Sequence, residues 1–350
     1  MPSPLSTPSA HDAPAIAVVG DVHGHLQLAL CVLARWQCEL GFRFEAVFLC
    51  GDVGTFTDES QLDNATRRHG KANPCELEFL LQWSTRPQAA WLGAIFRRQE
   101  EAGLGLDCPV VMVHGNHEGF AHLARLVPAS GPAGAVAPGE LPAVDSEGHL
   151  RLLPSGWRTS TPSGLLVGGV GGIEPGQRHA EYHEMANLDE AAVLGLAEAG
   201  PVDLLVTHQG PAGTQGEEAG SESLQFLLDQ EIAQVWFHGH SVARPGRQRA
   251  GPRGQTLVVP LGDVAFPGRG PEPDLPGTDG WAVAVLRPDG PSVLEESPGF
   301  LREFRRRLWP QTPDGLLVCP SLAQAVWGPR AGLLTESRSG LRCQRKQGPR

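Results

Sequence analysis

With 350 residues, 41% hydrophobic and 19% charged, the chain can bury a full core as one large domain or two smaller ones. Its formal charge of −11 repels polyphosphate backbones at long range and so argues against non-specific nucleic-acid binding. No run approaches the ~18 apolar residues of a membrane span. The first residues lack the basic and apolar regions of a secretory leader. Seven scattered cysteines without a CxxC pair suit reduced thiols, so a soluble, cytoplasmic protein is expected.

In chain order, eight apolar runs read as strands: 15–19, 45–49, 109–113, 164–168, 202–206, 233–237, 256–260 and 281–286. Between the first two, residues 25–41 carry Leu26, Leu30, Leu33 and Leu40 on one helical face, with Gly41 as the C-cap. A second helical stretch spans 75–102 and breaks near Pro87. Pro- and Gly-rich segments at 128–147 and 267–280 read as long loops. Residues 298–309 set Phe300, Leu301, Phe304 and Leu308 against four arginines and read as a further helix. Strands alternating with helices define an α/β architecture.

The strands end in unusual chemistry. The first delivers Asp21 and His23 in "GDVHGH", the second Asp52 in "CGDVG", and the third Asn116 and His117 in "HGNHE". Later runs deliver His208 in "VTHQGP", then His238 and His240 in "FHGH". In open α/β sheets functional groups gather at the carboxyl edge, so these side chains converge. In extended chain, i and i+2 point the same way, so Asp21 with His23, and His238 with His240, are expected to face one pocket. Imidazoles mixed with carboxylates suit Mn²⁺, Fe or Zn²⁺ better than all-oxygen cations such as Mg²⁺ or Ca²⁺.

The ordered series D-x-H, G-D, G-N-H, H and G-x-H resembles that of the calcineurin-like metallophosphoesterases, over about Ile16 to Val285. The resemblance implies a four-layer α/β/β/α sandwich with two divalent metal ions. Asp21, His23 and His240 would hold one ion and Asn116, His208 and His238 the other, with Asp52 bridging. It also implies phosphoester hydrolysis by a hydroxide shared between the cations, His117 assisting the leaving group. Asp21 and Glu118 are the candidates for the carboxylate that orients His117.

On this reading residues 1–13 form a disordered N-terminus and 14–290 the metallophosphoesterase domain. Residues 291–310 form a C-terminal helix packed on it, and 311–350 a basic, flexible tail. Residues 291–350 carry ten Lys/Arg against five Asp/Glu, which leaves the preceding 290 at −16.

The substrate is a phosphoester, with nucleic acid and phosphoprotein both open. In the Ser/Thr protein phosphatase branch an arginine follows the second motif and clamps phosphate. Here the sequence continues "GDVGTFTDES" without one, and His114 stands where that branch has arginine. Residues 168–184 and "GNHEGFAHLARL" resemble the lariat-debranching phosphodiesterases, so diesters are weakly favoured. Arg178, His179 and His183 are candidate substrate contacts, as are Arg244, Arg247, Arg249 and Arg253. The alternatives are a Ser/Thr phosphatase-like monoesterase and a non-catalytic scaffold, the latter opposed by the complete ligand series. His25, His69, His122 and His149 receive no role.

Overall fold

The computed structural model describes residues 14–41, 43–85, 96, 105–175, 183–214, 220–240, 246–267, 271–287, 290–309, 311, 335–337 and 340–342. Two six-stranded sheets dominate it. In the first, β1 (Ala15–Val19), β2 (Phe44–Leu49), β3 (Val110–Met112) and β4 (Leu150–Leu152) run parallel. Beyond β1 the sheet continues antiparallel through β11 (Trp281–Arg287) and β12 (Gly290–Glu296). In the second, β6 (Leu166–Val170), β7 (Val202–Thr207), β8 (Ala233–His238) and β10 (Thr256–Pro260) are parallel neighbours. Short antiparallel strands, β5 (Arg158–Ser160) and β9 (Gln248–Ala250), close its edges. A separate hairpin pairs β13 (Thr335–Ser337) with β14 (Gly340–Arg342).

The period of two along each strand assigns side chains to layers. On β1, Ala15, Ala17 and Val19 pack towards helix α1 (Leu26–Leu40), while Ile16 and Val18 enter the space between the sheets. Phe48, Val111, Leu204, Val206, Val235 and Phe237 fill that same space. The outer face of the second sheet, with Leu205 and Trp236, is covered by α5 (Glu190–Glu198) and α6 (Glu222–Asp229) through Leu196, Leu224 and Leu227. Three apolar clusters between four layers make the α/β/β/α sandwich. No helix among the described residues is long and apolar enough to cross a membrane.

All eight expected strands are present, each within two residues of its expected ends. Helix α1 ends as the sequence requires: Gly41 takes the left-handed conformation at φ 74° and its N–H bonds back to Gln37 O. The stretch expected as one helix from residue 75 is a 3₁₀ turn (Pro74–Leu77) followed by α3 (Glu78–Thr85). The C-terminal segment departs from expectation. Residues up to Glu296 extend the first sheet as β12, and 298–309 form two 3₁₀ turns (Leu301–Phe304 and Arg306–Leu308) rather than a helix. Tertiary contacts replace helical ones there. Leu301, Phe304 and Trp309 are buried in the cluster around α1, the buried Arg35 bonds Glu303 at 2.9 Å and stacks over Phe300, and Arg305 pairs with Glu272 and Asp274.

One buried acid makes stability depend on pH. Glu78, fully buried, accepts the Gln27 N–H at 3.0 Å through Oε1, while Oε2 has no hydrogen-bond partner. Burial pushes its carboxyl up to about 8, against the lowering effect of that bond. A carboxyl held above its unfolded value contributes stability that is present below about pH 4.5 and lost as pH rises through about 8. Glu78→Gln keeps the acceptor and removes the titration. Its Tm is expected to exceed that of the parent at pH 9 by on the order of 5 °C and to match it near pH 4.5. Parallel melting curves across pH for the two proteins would contradict this.

Candidate metal centre

Because the inner strands of both sheets are parallel, their carboxyl ends meet at one edge. Asp21 and His23 follow β1, Asp52 follows β2, Asn116 and His117 follow β3, and His208 follows β7. His238 closes β8 and His240 lies two residues beyond. Ligand atoms of Asp21, Asp52, His208 and His240 all lie within 4.8 Å of one another, and so do those of Asp21, His23 and Asp263. The two groups share Asp21, so they adjoin.

The backbone bends sharply to make this cluster. Of the five described non-glycine residues with positive φ, three are in it: His23 (44°), Asp52 (47°) and His240 (50°). Such left-handed residues cost on the order of 1–3 kcal/mol each and persist only where surroundings enforce them. The expectation that Asp21 and His23 converge through an extended backbone is therefore corrected; a tight turn brings them together. Likewise His240 joins the cluster while His238 belongs to neither group. Two glycines leave room for the carboxylates: a Cβ at Gly115 would stand 2.0 Å from Asp52 Oδ1, and one at Gly239 2.0 Å from Asp21 Oδ1.

Hydrogen bonds fix which nitrogen each imidazole offers. His208 Nδ1 donates to Cys50 O at 2.9 Å, leaving Nε2 3.0 Å from Asn116 Oδ1 and 3.6 Å from Asp52 Oδ1. His238 Nδ1 donates to Gly239 O at 3.0 Å, and burial lowers its pKa to about 4. Neutral rings with Nδ1–H tied to a carbonyl present Nε2 as a lone pair, the form a metal ligand needs. His23 points Nε2 at Asp52 Oδ2 (3.8 Å) and Nδ1 at Glu76 (3.9 Å). Burial works to raise the Asp52 carboxyl, but the surrounding His208, His117, His23 and His240 hold it far below the usual carboxylate range. A carboxylate in that state is a ready cation ligand.

His117 sits beside this group, its N–H donating to Asp52 Oδ1 at 2.8 Å. Its Nδ1 bonds Asp63 Oδ2 at 2.9 Å, so neither Asp21 nor Glu118 is the orienting carboxylate. Burial lowers the ring's pKa, but Asp52, Asp63 and Glu118 together raise it to about 9. Asp63 also caps α2 (Asn64–Ala72), accepting from Thr66 N and Oγ1. Glu118 does something else: buried, it accepts from Val53 N, Gly54 N, and Thr55 N and Oγ1, which pins the loop after Asp52.

The candidate substrate contacts fare differently. Arg178, His179 and Arg244 lie outside the described residues. Arg247 pairs with Glu296, Arg249 bonds Gln255 O, and Arg253 pairs with Glu231, none of them a member of the cluster. His183 stacks on Phe120, the first residue of the short α4 (Phe120–Leu123) that follows His117. Sequence reasoning missed three acids at the centre: Asp63, Glu76 and Asp263. Asp263 follows β10 as Asp52 follows β2, and the run "DNAT" has the form of a helix N-cap; both signals were available. Glu76, on a 3₁₀ turn, had none.

The donor set fits divalent ions of the transition series: two adjoining groups of carboxylate and imidazole atoms, with His208 presenting Nε2. The profile of the calcineurin-like phosphoesterases matches residues 14–244. The chain belongs to that family, hydrolases of phosphoric ester bonds that normally bind two divalent metal ions. No curated protein matches it. Among solved structures, the crystal structure of TT1561 of Thermus thermophilus is similar at 15% identity and a TM-score of 0.43, over 81% of this chain and 99% of that one.

Proposed function

We propose that Asp21, His23, Asp52, Asn116, His208, His238 and His240 hold two divalent ions, of Mn, Fe or Zn, and that the chain hydrolyses phosphodiesters in preference to monoesters. The observation that carries this is the division of Asp52: Oδ2 faces His23 and Oδ1 faces His208, one imidazole from each proposed ion site. Bound ions would supply Lewis acidity and an acidified water. Asp263, within the same distances of Asp21 and His23, is a further candidate ligand.

The remaining chemistry belongs to the chain. Asp52 anchors the His117 backbone, and Asp63 holds Nδ1, which leaves Nε2–H to donate to the departing alkoxide. The preference for diesters follows from what surrounds Asp52. The stretch "GDVGTFTDES" around it holds no arginine, and the amides of Val53, Gly54 and Thr55 are engaged by Glu118 rather than turned to substrate. A dianionic monoester needs such non-metal partners more than a monoanionic diester does.

The test combines metal analysis with an activity panel. Manganese-loaded protein is expected to hold two ions per chain and to show a higher ratio of bis-p-nitrophenyl to p-nitrophenyl phosphate hydrolysis than a Ser/Thr protein phosphatase assayed alongside. Fewer than one ion per chain would overturn the dinuclear reading. Efficient phosphopeptide dephosphorylation with negligible diester cleavage would restore the phosphatase alternative.

A further inference from the structure

We infer that the exposed face of helix α2 carrying Arg68 and His69 binds a second phosphate, one borne by the alcohol that leaves. The enzyme would then favour diesters whose leaving group is itself phosphorylated. This rests on the reading above, in which His117 attends the departing oxygen.

The helix is joined to that histidine through Asp63 and through Thr66, whose Oγ1 lies 3.5 Å from His117 Nδ1. Asp63 takes His117 Nδ1 on Oδ2 and the Thr66 amide on Oδ1, so the first turn of α2 starts where the leaving group departs. Its sequence, "NATRRHGKA", has no acidic residue. Thr66 and Gly70, four residues apart, form the buried face, and Gly70 packs so closely on Leu77 that a Cβ would stand 2.8 Å from it. With that face turned inward, Arg67, Arg68, His69 and Lys71 are exposed.

They are not equivalent. Arg67 is engaged with the carbonyls of Glu59 and Leu62, which fasten the preceding loop. Lys71 lies on the Arg67 flank. Arg68 and His69 occupy the other side and touch, Arg68 Nη2 standing 3.5 Å from His69 Nε2. His69 lies one helical turn beyond Thr66, whose Oγ1 stands 3.5 Å from His117 Nδ1. Among the described residues no carboxylate pairs with Arg68.

In a chain of charge −11, cations usually find acids. Here Asp63 is committed to His117 and Thr66, and Asp58 to Ser60. An unneutralised guanidinium with an imidazole beside it presents several N–H donors in one patch, which matches a phosphate group. A phosphate held there would tether the leaving alcohol beside His117. Because it lies away from the reacting phosphorus, it contributes binding that is the same in ground and transition states.

The experiment compares the dinucleotide TpT with its 5′-phosphorylated and 3′-phosphorylated forms, pTpT and TpTp, using manganese-loaded protein. One phosphorylated form is expected to have a KM at least ~10-fold below that of TpT at low salt, the worth of one charge-assisted contact. The advantage should shrink at ~0.5 M salt. Arg68→Gln with His69→Gln should erase it, leaving kcat, metal content and bis-p-nitrophenyl phosphate hydrolysis unchanged. Equal KM values for all three dinucleotides, or an advantage that survives the double substitution, would overturn the inference. Failure of the underlying reading looks different, since neither bis-p-nitrophenyl phosphate nor any dinucleotide would then be cleaved.

Discussion

Asp52→Asn is expected to lower kcat/KM by ~10³-fold or more and to reduce the metal content below two ions per chain. Metal ions contribute several kcal/mol of charge stabilisation to phosphoryl chemistry, and each ~1.4 kcal/mol is tenfold in rate. An amide keeps the shape of Asp52 and one acceptor for the His117 N–H, 2.8 Å away. What it loses is the second anionic oxygen, which divides the carboxylate between His23 and His208. The charge also matters to the rings, since four imidazoles crowd this one buried acid. His23→Ala touches one side only and should retain more metal and more activity. Elemental analysis and diester hydrolysis on both variants decide the matter. Equal, small losses would show that Asp52 does not bridge.

That centre was largely legible from the sequence, for a physical reason. Parallel strands impose one direction on every carboxyl end, so "GDVHGH", "CGDVG", "HGNHE", "VTHQGP" and "FHGH" had to assemble at one edge once the strands were recognised. The strands themselves were easy because those buried on both faces are continuous apolar runs, as Ala15–Val19 is. Edge strands were not. Leu150–Leu152, Arg158–Ser160 and Gln248–Ala250 are three residues long, too short for a period of two to register. β12 begins with "GP", which reads as a turn. The C-terminal segment misled for the opposite reason: Phe300, Leu301, Phe304 and Leu308 have helical spacing, but Arg35 and the acids Glu272 and Asp274 hold the chain in separate turns.

The orienting partner of His117 shows the limit most clearly. Asp63 is 54 positions away, in a loop before a polar helix, and no periodicity links the two. The carboxylates close to the motifs, Asp21 and Glu118, are the natural candidates on sequence alone. Glu118 proved to be the clamp on the Asp52 loop instead, accepting three backbone amides and one hydroxyl from that loop. Adjacency in sequence is a poor guide where a turn reverses side-chain direction at every residue. The local signal that did exist, an Asp followed three residues later by Thr at a helix start, identifies a cap and not a catalytic partner.

His117→Gln should separate chemistry from metal binding. Asp63 rather than an ion is proposed to hold the ring, and Gln keeps the backbone N–H that Asp52 accepts, so two ions per chain should remain. The carboxylate of Asp63 on Nδ1 favours the protonated ring, the state a general acid requires. Losing that acid is expected to lower kcat ~10²–10⁴-fold on esters of poor leaving groups such as alkyl alcohols. On p-nitrophenyl esters the loss should be much smaller, because p-nitrophenolate departs with little need of a proton. Asp63→Asn should act in the same direction but less strongly. It leaves the imidazole in place while weakening the contact at 2.9 Å that fixes its tautomer, and it also loosens the cap of α2. A plot of log kcat against leaving-group pKa is the measurement: it should steepen in both variants, more for His117→Gln. Loss of an ion in His117→Gln, or a parallel downward shift of the plot without change of slope, would make His117 a ligand or a substrate contact rather than the acid.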